Sequence, residues 1–113
     1  MVDLGDGRRI LLEMKSGVAP GDLKSLVDQG KKLVGSGAVA FITVVDGRAT
    51  VAVGVTDDQT DHWDAVELVR KAVEKLGGKG GGGRRDLAQG GGPEGSKAQE
   101  ALDAIRAELK VAA

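Results

Sequence analysis

Nine glycines, one lysine and two arginines crowd into the sixteen residues GGKGGGGRRDLAQGGG, positions 77–92. Glycine reaches positive φ and carries no Cβ to keep another backbone or a ligand at a distance. Successive glycine amides can close into a concave nest that favours anions. Lys79, Arg84 and Arg85 would ring such a nest with charge-assisted donors, and an arginine fork fits phosphate bidentately. The chemistry these residues could perform is therefore phosphate binding. A Walker A loop is excluded, because Lys79 is followed by glycine and not by Ser or Thr. A dinucleotide fingerprint is excluded as well, because a helical pattern precedes the glycines where a strand is required. Composition also allows a solvated linker, but Leu87 and Ala88 between the glycines suit a short strand or packed turn better.

Other chemistries are thinly represented. The chain has 113 residues, no cysteine, one histidine (His62) and a formal net charge of −1. Disulfide and thiolate chemistry are absent, and a lone imidazole offers no triad or histidine-rich metal site. Phe41 and Trp63 are the only aromatics, which argues against stacking of single-stranded bases on aromatic platforms. No apolar run approaches a membrane span and the N-terminus lacks a signal pattern, so a soluble, cytoplasmic domain is expected, with no membrane partner. With no global field, polyanion binding needs a local patch. One lies at Arg70, Lys71, Lys75, Lys79, Arg84 and Arg85, opposed only by Glu74.

The elements that would hold these residues can be read from periodicity. Residues 1–7 are turn-rich and expected to fray. RRILLEMKS alternates Ile10, Leu12 and Met14 against Leu11, Glu13 and Lys15, a strand pattern. Pro20 opens a helix over about 20–34, with Leu23, Leu26, Val27, Leu33 and Val34 at helical spacing and Gly35 or Gly37 as its stop. AVAFITVV (38–45) reads as a buried strand, and Asp46-Gly47 as a type I′ hairpin turn. The return strand 49–55 sets Val51, Val53 and Val55 against small residues that would admit a close helix. A second helix, capped by Thr60 or Asp61, turns Trp63, Val66, Val69, Val73 and Leu76 inward and ends at Gly77-Gly78. Ser96 and Gln99 form a capping-box pattern before a last helix with Ala98, Leu102, Ile105 and Leu109 on one face. His62 is expected at the surface and Trp63 in the core. The acidic run Asp57, Asp58, Asp61 and Asp64 suits a helix N-terminus better than a cation loop, and Lys24, Lys31 and Lys32 form a solvated face that could extend the phosphate-binding footprint. These elements predict a single α+β domain over 1–113, with a small mixed or antiparallel sheet and helices packed mainly on one face.

The same residues carry a resemblance. GGKGGGGRRDLAQGGGP is similar to the glycine-rich signature of the DHHA1-type C-terminal domain of bacterial alanyl-tRNA synthetases, a domain shared with DHH-type phosphoesterases. Gly77, Gly78, Lys79, Gly80 to Gly83, Arg84, Asp86, Ala88, Gln89, Gly91 and Gly92 match its pattern. Arg85 stands where proline is usual, Leu87 where methionine is usual and Gly90 where alanine is usual; losing the proline should loosen the turn. Residues 35–60 resemble the strand pair of that family, and the likeness extends over about 8–110. It implies a tRNA-binding accessory domain that positions tRNA(Ala) for aminoacylation and editing. Gly78, Lys79, Gly80, Gly81, Gly82, Gly83, Arg84, Arg85 and Gln89 are the implied contacts, read as a loop that is mobile until RNA orders it. No catalytic residue and no metal ligand is implied for this chain, and no cofactor, although the full enzyme resembled uses ATP, Mg and Zn. Implied partners are tRNA(Ala), the catalytic and editing domains of the synthetase, and a second copy in a homodimer, for which the last helix offers an apolar stripe. Two other readings are an oligomerisation module and the substrate domain of a phosphoesterase. The second lacks the histidine that would follow the glycines, where Arg84 stands.

Overall fold

The computed structural model describes residues 2–112. It holds one six-stranded mixed sheet and three α-helices. The strands are β1 (Val2–Asp3), β2 (Arg9–Met14), β3 (Gly37–Val45), β4 (Arg48–Val55), β5 (Gly81–Arg84) and β6 (Leu87–Gly92), in the spatial order β1-β2-β3-β4-β6-β5. The helices are α1 (Leu23–Val34), α2 (Ala65–Lys75) and α3 (Ala98–Ala112), with 3₁₀ turns at Pro20–Asp22, Asp57–Gln59 and Gly95–Lys97. β2 and β3 run parallel and the other pairs antiparallel. A parallel pair needs a crossover, and α1 supplies it. Val2 and Asp3, expected to fray, pair with Ile10 and Arg9 as a short edge strand.

Two of the three helices, α2 and α3, lie on one face of the sheet and α1 covers part of the other. Val51, Val53 and Val55 join Ile10, Ile42, Leu68, Val69, Val73, Leu76, Leu102, Ile105 and Leu109 in the larger core. Leu11, Leu23, Val27, Val34, Val39, Phe41 and Ala52 form the smaller one beneath α1. Each of these large aliphatic side chains gains roughly 1.5–3 kcal/mol from burial, so the period-two and period-3.6 patterns fix which face each element turns inward. The small residues of β4 serve close packing as expected: a Cβ on Gly54 would lie 2.6 Å from Val27 Cγ1. The apolar stripe of α3 is spent inside the fold, because Ala98, Ala101, Leu102, Ile105 and Leu109 are all buried against the domain's own core.

Turns and caps follow the local signals only in part. Asp46 and Gly47 both have positive φ (52° and 79°), the geometry of the predicted hairpin turn. Asp64, not Thr60 or Asp61, caps α2, its carboxylate accepting from Val66 N at 2.9 Å. Trp63 is buried as expected but precedes the helix, and Leu68 and Ala72 share its inner face while Val66 is half-buried. The capping box does not form: a 3₁₀ turn leads into α3, and Gln99 Nε2 donates to Asp103 one turn on.

The acidic run is dispersed among local tasks. The Asp58 carboxylate accepts from the Ser36 hydroxyl and from Thr56 Oγ1 at 2.6 Å, and Thr56 Oγ1 accepts from Gly37 N at 2.9 Å, tying the start of β3 to the end of β4. These donors, Ser36 foremost, then Thr56 and Gln59, hold the Asp58 carboxyl down at about 2, from an ordinary 3.8. A carboxylate favoured in the folded state adds stability above its unfolded pKa, and that stability disappears as pH falls through the folded value. The domain should therefore lose stability between about pH 4 and pH 2. Asp58→Asn should flatten that part of the profile. Urea midpoints across the window check this; parallel profiles for the two proteins would contradict it.

Candidate nucleic-acid interface

The sequence leads one to expect a loop at 77–92, and most of it is a β-hairpin. β5 and β6 pair from Gly81↔Gly90 to Arg84↔Leu87, leaving Arg85 and Asp86 as a two-residue turn. β6 is an interior strand, paired on its other side with β4 from Ala49↔Gly92 to Gly54↔Leu87. The glycine-rich segment is thus the far wing of the sheet.

Glycine is unfavourable in strands, so its density here needs a cause, and α2 provides much of it. A Cβ on Gly81 would lie 2.4 Å from Val69 Cγ1, and one on Gly90 would lie 2.7 Å from Val73 Cγ2. The helix therefore rests directly on bare backbone. A Cβ on Gly78 would meet a backbone oxygen at 2.1 Å (Gly91 O), and one on Gly92 at 2.3 Å (Leu76 O), where the chain leaving α2 crosses β6. Gly80 has φ 69° in open space, a conformation that asks for glycine by itself. Gly82 has an ordinary φ, and a Cβ added there would have no neighbour within 4 Å. Of the nine glycines it alone has no structural reason to be one.

Register places Gly82 on an open face. Residues directly opposite one another in an antiparallel pair point to the same side. Val51 and Val53 point into the α2–α3 core, so Arg48, Thr50 and Ala52 point the other way. Their cross-strand partners carry that face outward: Thr50↔Gly91, Ala52↔Gln89, then Gln89↔Gly82 and Leu87↔Arg84. α1 lies over β2, β3 and β4, and beyond Leu87 the wing is uncovered. An open groove of about 460 Å³ results, floored by Gly82, Gln89, Gly90, Gly91 and Gly92 and rimmed by Lys24, Arg48 and Thr50. Lys24 and Arg48 are exposed, and neither has an ion pair among the described residues.

The predicted site residues are partly gathered by this geometry. Gly82, Gln89 and Arg84 share the open face; Arg84 is highly exposed, with Nε 3.2 Å from Asp86 Oδ1. Gly81 and Gly83 share the opposite face with Gly90 and Ala88, and Gly78 is used in the chain crossing. Lys79 and Gly80 lie in the connection before β5, where the Lys79 side chain is exposed and unpaired among the described residues. Arg85 is also largely exposed but is hydrogen-bonded within the domain: Nε and Nη2 donate to Thr60 O at 3.2 and 2.5 Å, and Nη1 lies 3.5 Å from Asp64 Oδ2. The linear basic patch is divided. Arg70, Lys71 and Lys75 are exposed on α2, across the sheet from the groove. Arg48 and Thr50 carry no local signal in the sequence; only the β4–β6 pairing reveals them. Lys24, assigned to a solvated face, rims the groove.

What this arrangement offers is a nearly side-chain-free patch of peptide groups with guanidinium and ammonium groups at its margin. Such a surface can approach a sugar-phosphate backbone closely and hold it through its charge. Among the described residues no three His, Asp or Glu side chains converge to hold a metal, and no helix is long and apolar enough to cross a membrane.

Comparison with known proteins agrees with the layout. The DHHA1 domain family matches residues 7–111. Alanine–tRNA ligases of Rhizobium meliloti and Sinorhizobium medicae are 56% and 57% identical over 95% and 91% of the chain. That of Hyphomonas neptunium is 50% identical over 93%. The chain spans 12% of the length of each of these relatives. The crystal structure of the C-Ala domain from Aquifex aeolicus alanyl-tRNA synthetase superposes with a TM-score of 0.85 at 30% identity, covering 96% of both chains. A DHH-domain member of the s1p family of ribosomal proteins shares the fold at a TM-score of 0.52 and 23% identity, over 82% of this chain and 22% of that one. The chain belongs to the DHHA1 domain family, in the form taken by the C-Ala domain of alanyl-tRNA synthetase.

Proposed function

We propose that this domain is the RNA-docking part of an alanyl-tRNA synthetase, holding tRNA(Ala) so that the aminoacylation and editing domains can act on it. The observation that carries the reading is the open face of the β5–β6 wing, where Gly82, which the fold does not require to be glycine, lies between Arg84 and the Lys24–Arg48 rim. The domain itself contributes affinity and orientation, which lower the entropic cost of bringing a substrate to a catalytic site elsewhere. It does this work in the cytoplasm and needs no ATP, magnesium or zinc of its own. Without aromatic platforms, it reads the shape and backbone of folded RNA and not splayed bases.

Titrating tRNA into the isotopically labelled chain tests this at residue resolution. The amides of Gly82, Gln89, Gly91 and Thr50 and of the first turn of α1 should shift together. Shifts confined to the outer surfaces of α2 and α3, or none at all, would overturn the reading.

A further inference from the structure

The two residues of the β5–β6 turn are held from opposite sides of the sheet. The Asp86 carbonyl accepts from Val55 N of β4, within the sheet, at 2.9 Å, and on the α1 side from Lys31 Nζ at 3.3 Å. Toward α2, the Arg85 carbonyl accepts from Ala65 N at 2.8 Å, so the turn abuts the first residue of that helix. The Arg85 guanidinium completes the attachment with two donors on the Thr60 carbonyl and a third nitrogen near Asp64 Oδ2. Asp64 is thereby shared: one carboxylate oxygen caps α2 and the other faces Arg85. Arg84, one residue earlier, lies on the groove face of the sheet. Both arginine side chains are largely exposed, but Arg84 ends β5 on the groove face whereas Arg85, in the turn, reaches the α2 cap.

We infer that Arg85 is a positioning residue of the RNA site and not one of its phosphate contacts. Its planar fork locks the turn onto the α2 cap, and the locked turn sets the register in which β5 presents Gly82 and Arg84 to the ligand. The role at the RNA site rests on the docking reading given above; the locking of the turn does not.

Two substitutions separate geometry from charge. Arg85→Lys keeps the charge but cannot reproduce the fork on one carbonyl and one carboxylate. Arg85→Pro removes the charge but can fix the turn by itself. Residue 85 is the first of the two turn positions and has negative φ, its N–H makes no hydrogen bond among the described residues, and Arg84 before it is extended, as a residue preceding proline prefers. The measurements are amide exchange across β5 and β6 in the free protein and tRNA affinity as a function of salt. In Arg85→Lys, hairpin exchange should quicken about tenfold, the factor carried by one lost charge-assisted hydrogen bond. Its affinity should fall several-fold with the salt slope unchanged. Arg85→Pro should stay within about twofold of the parent in both exchange and affinity, as the kept geometry and the absent phosphate contact require. The reverse pattern overturns the inference: a near-parental Arg85→Lys, beside an Arg85→Pro that binds weakly with a slope shallower by about 0.9. Unchanged hairpin exchange in Arg85→Lys, or equally fast exchange in both variants, also overturns it. A parent protein that binds no tRNA defeats the docking reading, while the exchange data still decide whether Arg85 fixes the turn.

Discussion

Gly78→Ala should destabilise the domain by about 2–3 kcal/mol, the upper part of the usual overpacking range, whereas Gly82→Ala should cost nothing. At Gly78 the new methyl would stand 2.1 Å from Gly91 O. That oxygen belongs to an interior strand and cannot swing aside as a side-chain tip could. β6 or the end of α2 would have to move, and with them the contacts of Val69 and Val73 on the wing. A loss of that size is a large share of the ~5–15 kcal/mol available to a small domain, and thermal unfolding should fall by about 10 °C or more. At Gly82 a Cβ meets nothing within 4 Å and φ is ordinary. Alanine there reduces the entropy of the unfolded chain, for a gain of up to about 0.5–1 kcal/mol. The two substitutions should part in the opposite sense on RNA. A methyl on the groove floor holds a ligand off the peptide plane, and Gly82→Ala should weaken tRNA binding about tenfold, some 1.4 kcal/mol. Calorimetry of both variants, with tRNA titration of the stable one, checks the pair. A destabilised Gly82→Ala would show that the fold does require glycine there, and one that binds tRNA like the parent would show that no close approach occurs at Gly82.

How much of this was legible depends on where each signal lives. β2, α1, the Asp46–Gly47 turn, β3 and β4 follow from local periodicity and turn chemistry, and they stand where the sequence predicts. So does the division of β4 into a valine side and a small-residue side, which names the faces even before any partner is known. The glycine wing was not legible as a hairpin, because strand propensity argues against glycine; it pairs because α2 presses Val69 and Val73 onto it, a contact between segments that no local pattern encodes. The candidate site was legible as a place and not as a face. Gly82, Gln89 and Arg84 stand out in the sequence, but Arg48 and Thr50 enter only through the register of β4 with β6. The charge patch drawn from Arg70 to Arg85 fails for the same reason: neighbours in sequence lie on opposite sides of a sheet. Arg85 shows the limit most plainly. Its type and place suggest a phosphate contact, whereas its partners, Thr60 and Asp64, lie more than twenty residues earlier.

If RNA docks on this domain as proposed, it meets the open face of the wing and not the outer surface of α2. Each surface offers three cations, so two triple variants remove equal charge: Lys24, Arg48 and Arg84 to alanine on the groove side, and Arg70, Lys71 and Lys75 to alanine on the helix. Each lost phosphate contact lowers the slope of log affinity against log salt by about 0.7–0.9, with the total set by how many contacts are removed. The deciding experiment is tRNA affinity of both variants and the parent across a salt series. The groove variant should bind more weakly, with a slope shallower by about 2 or more, while the helix variant runs parallel to the parent. A shallow slope in the helix variant beside a parental slope in the groove variant would refute docking on the wing and place the RNA on α2.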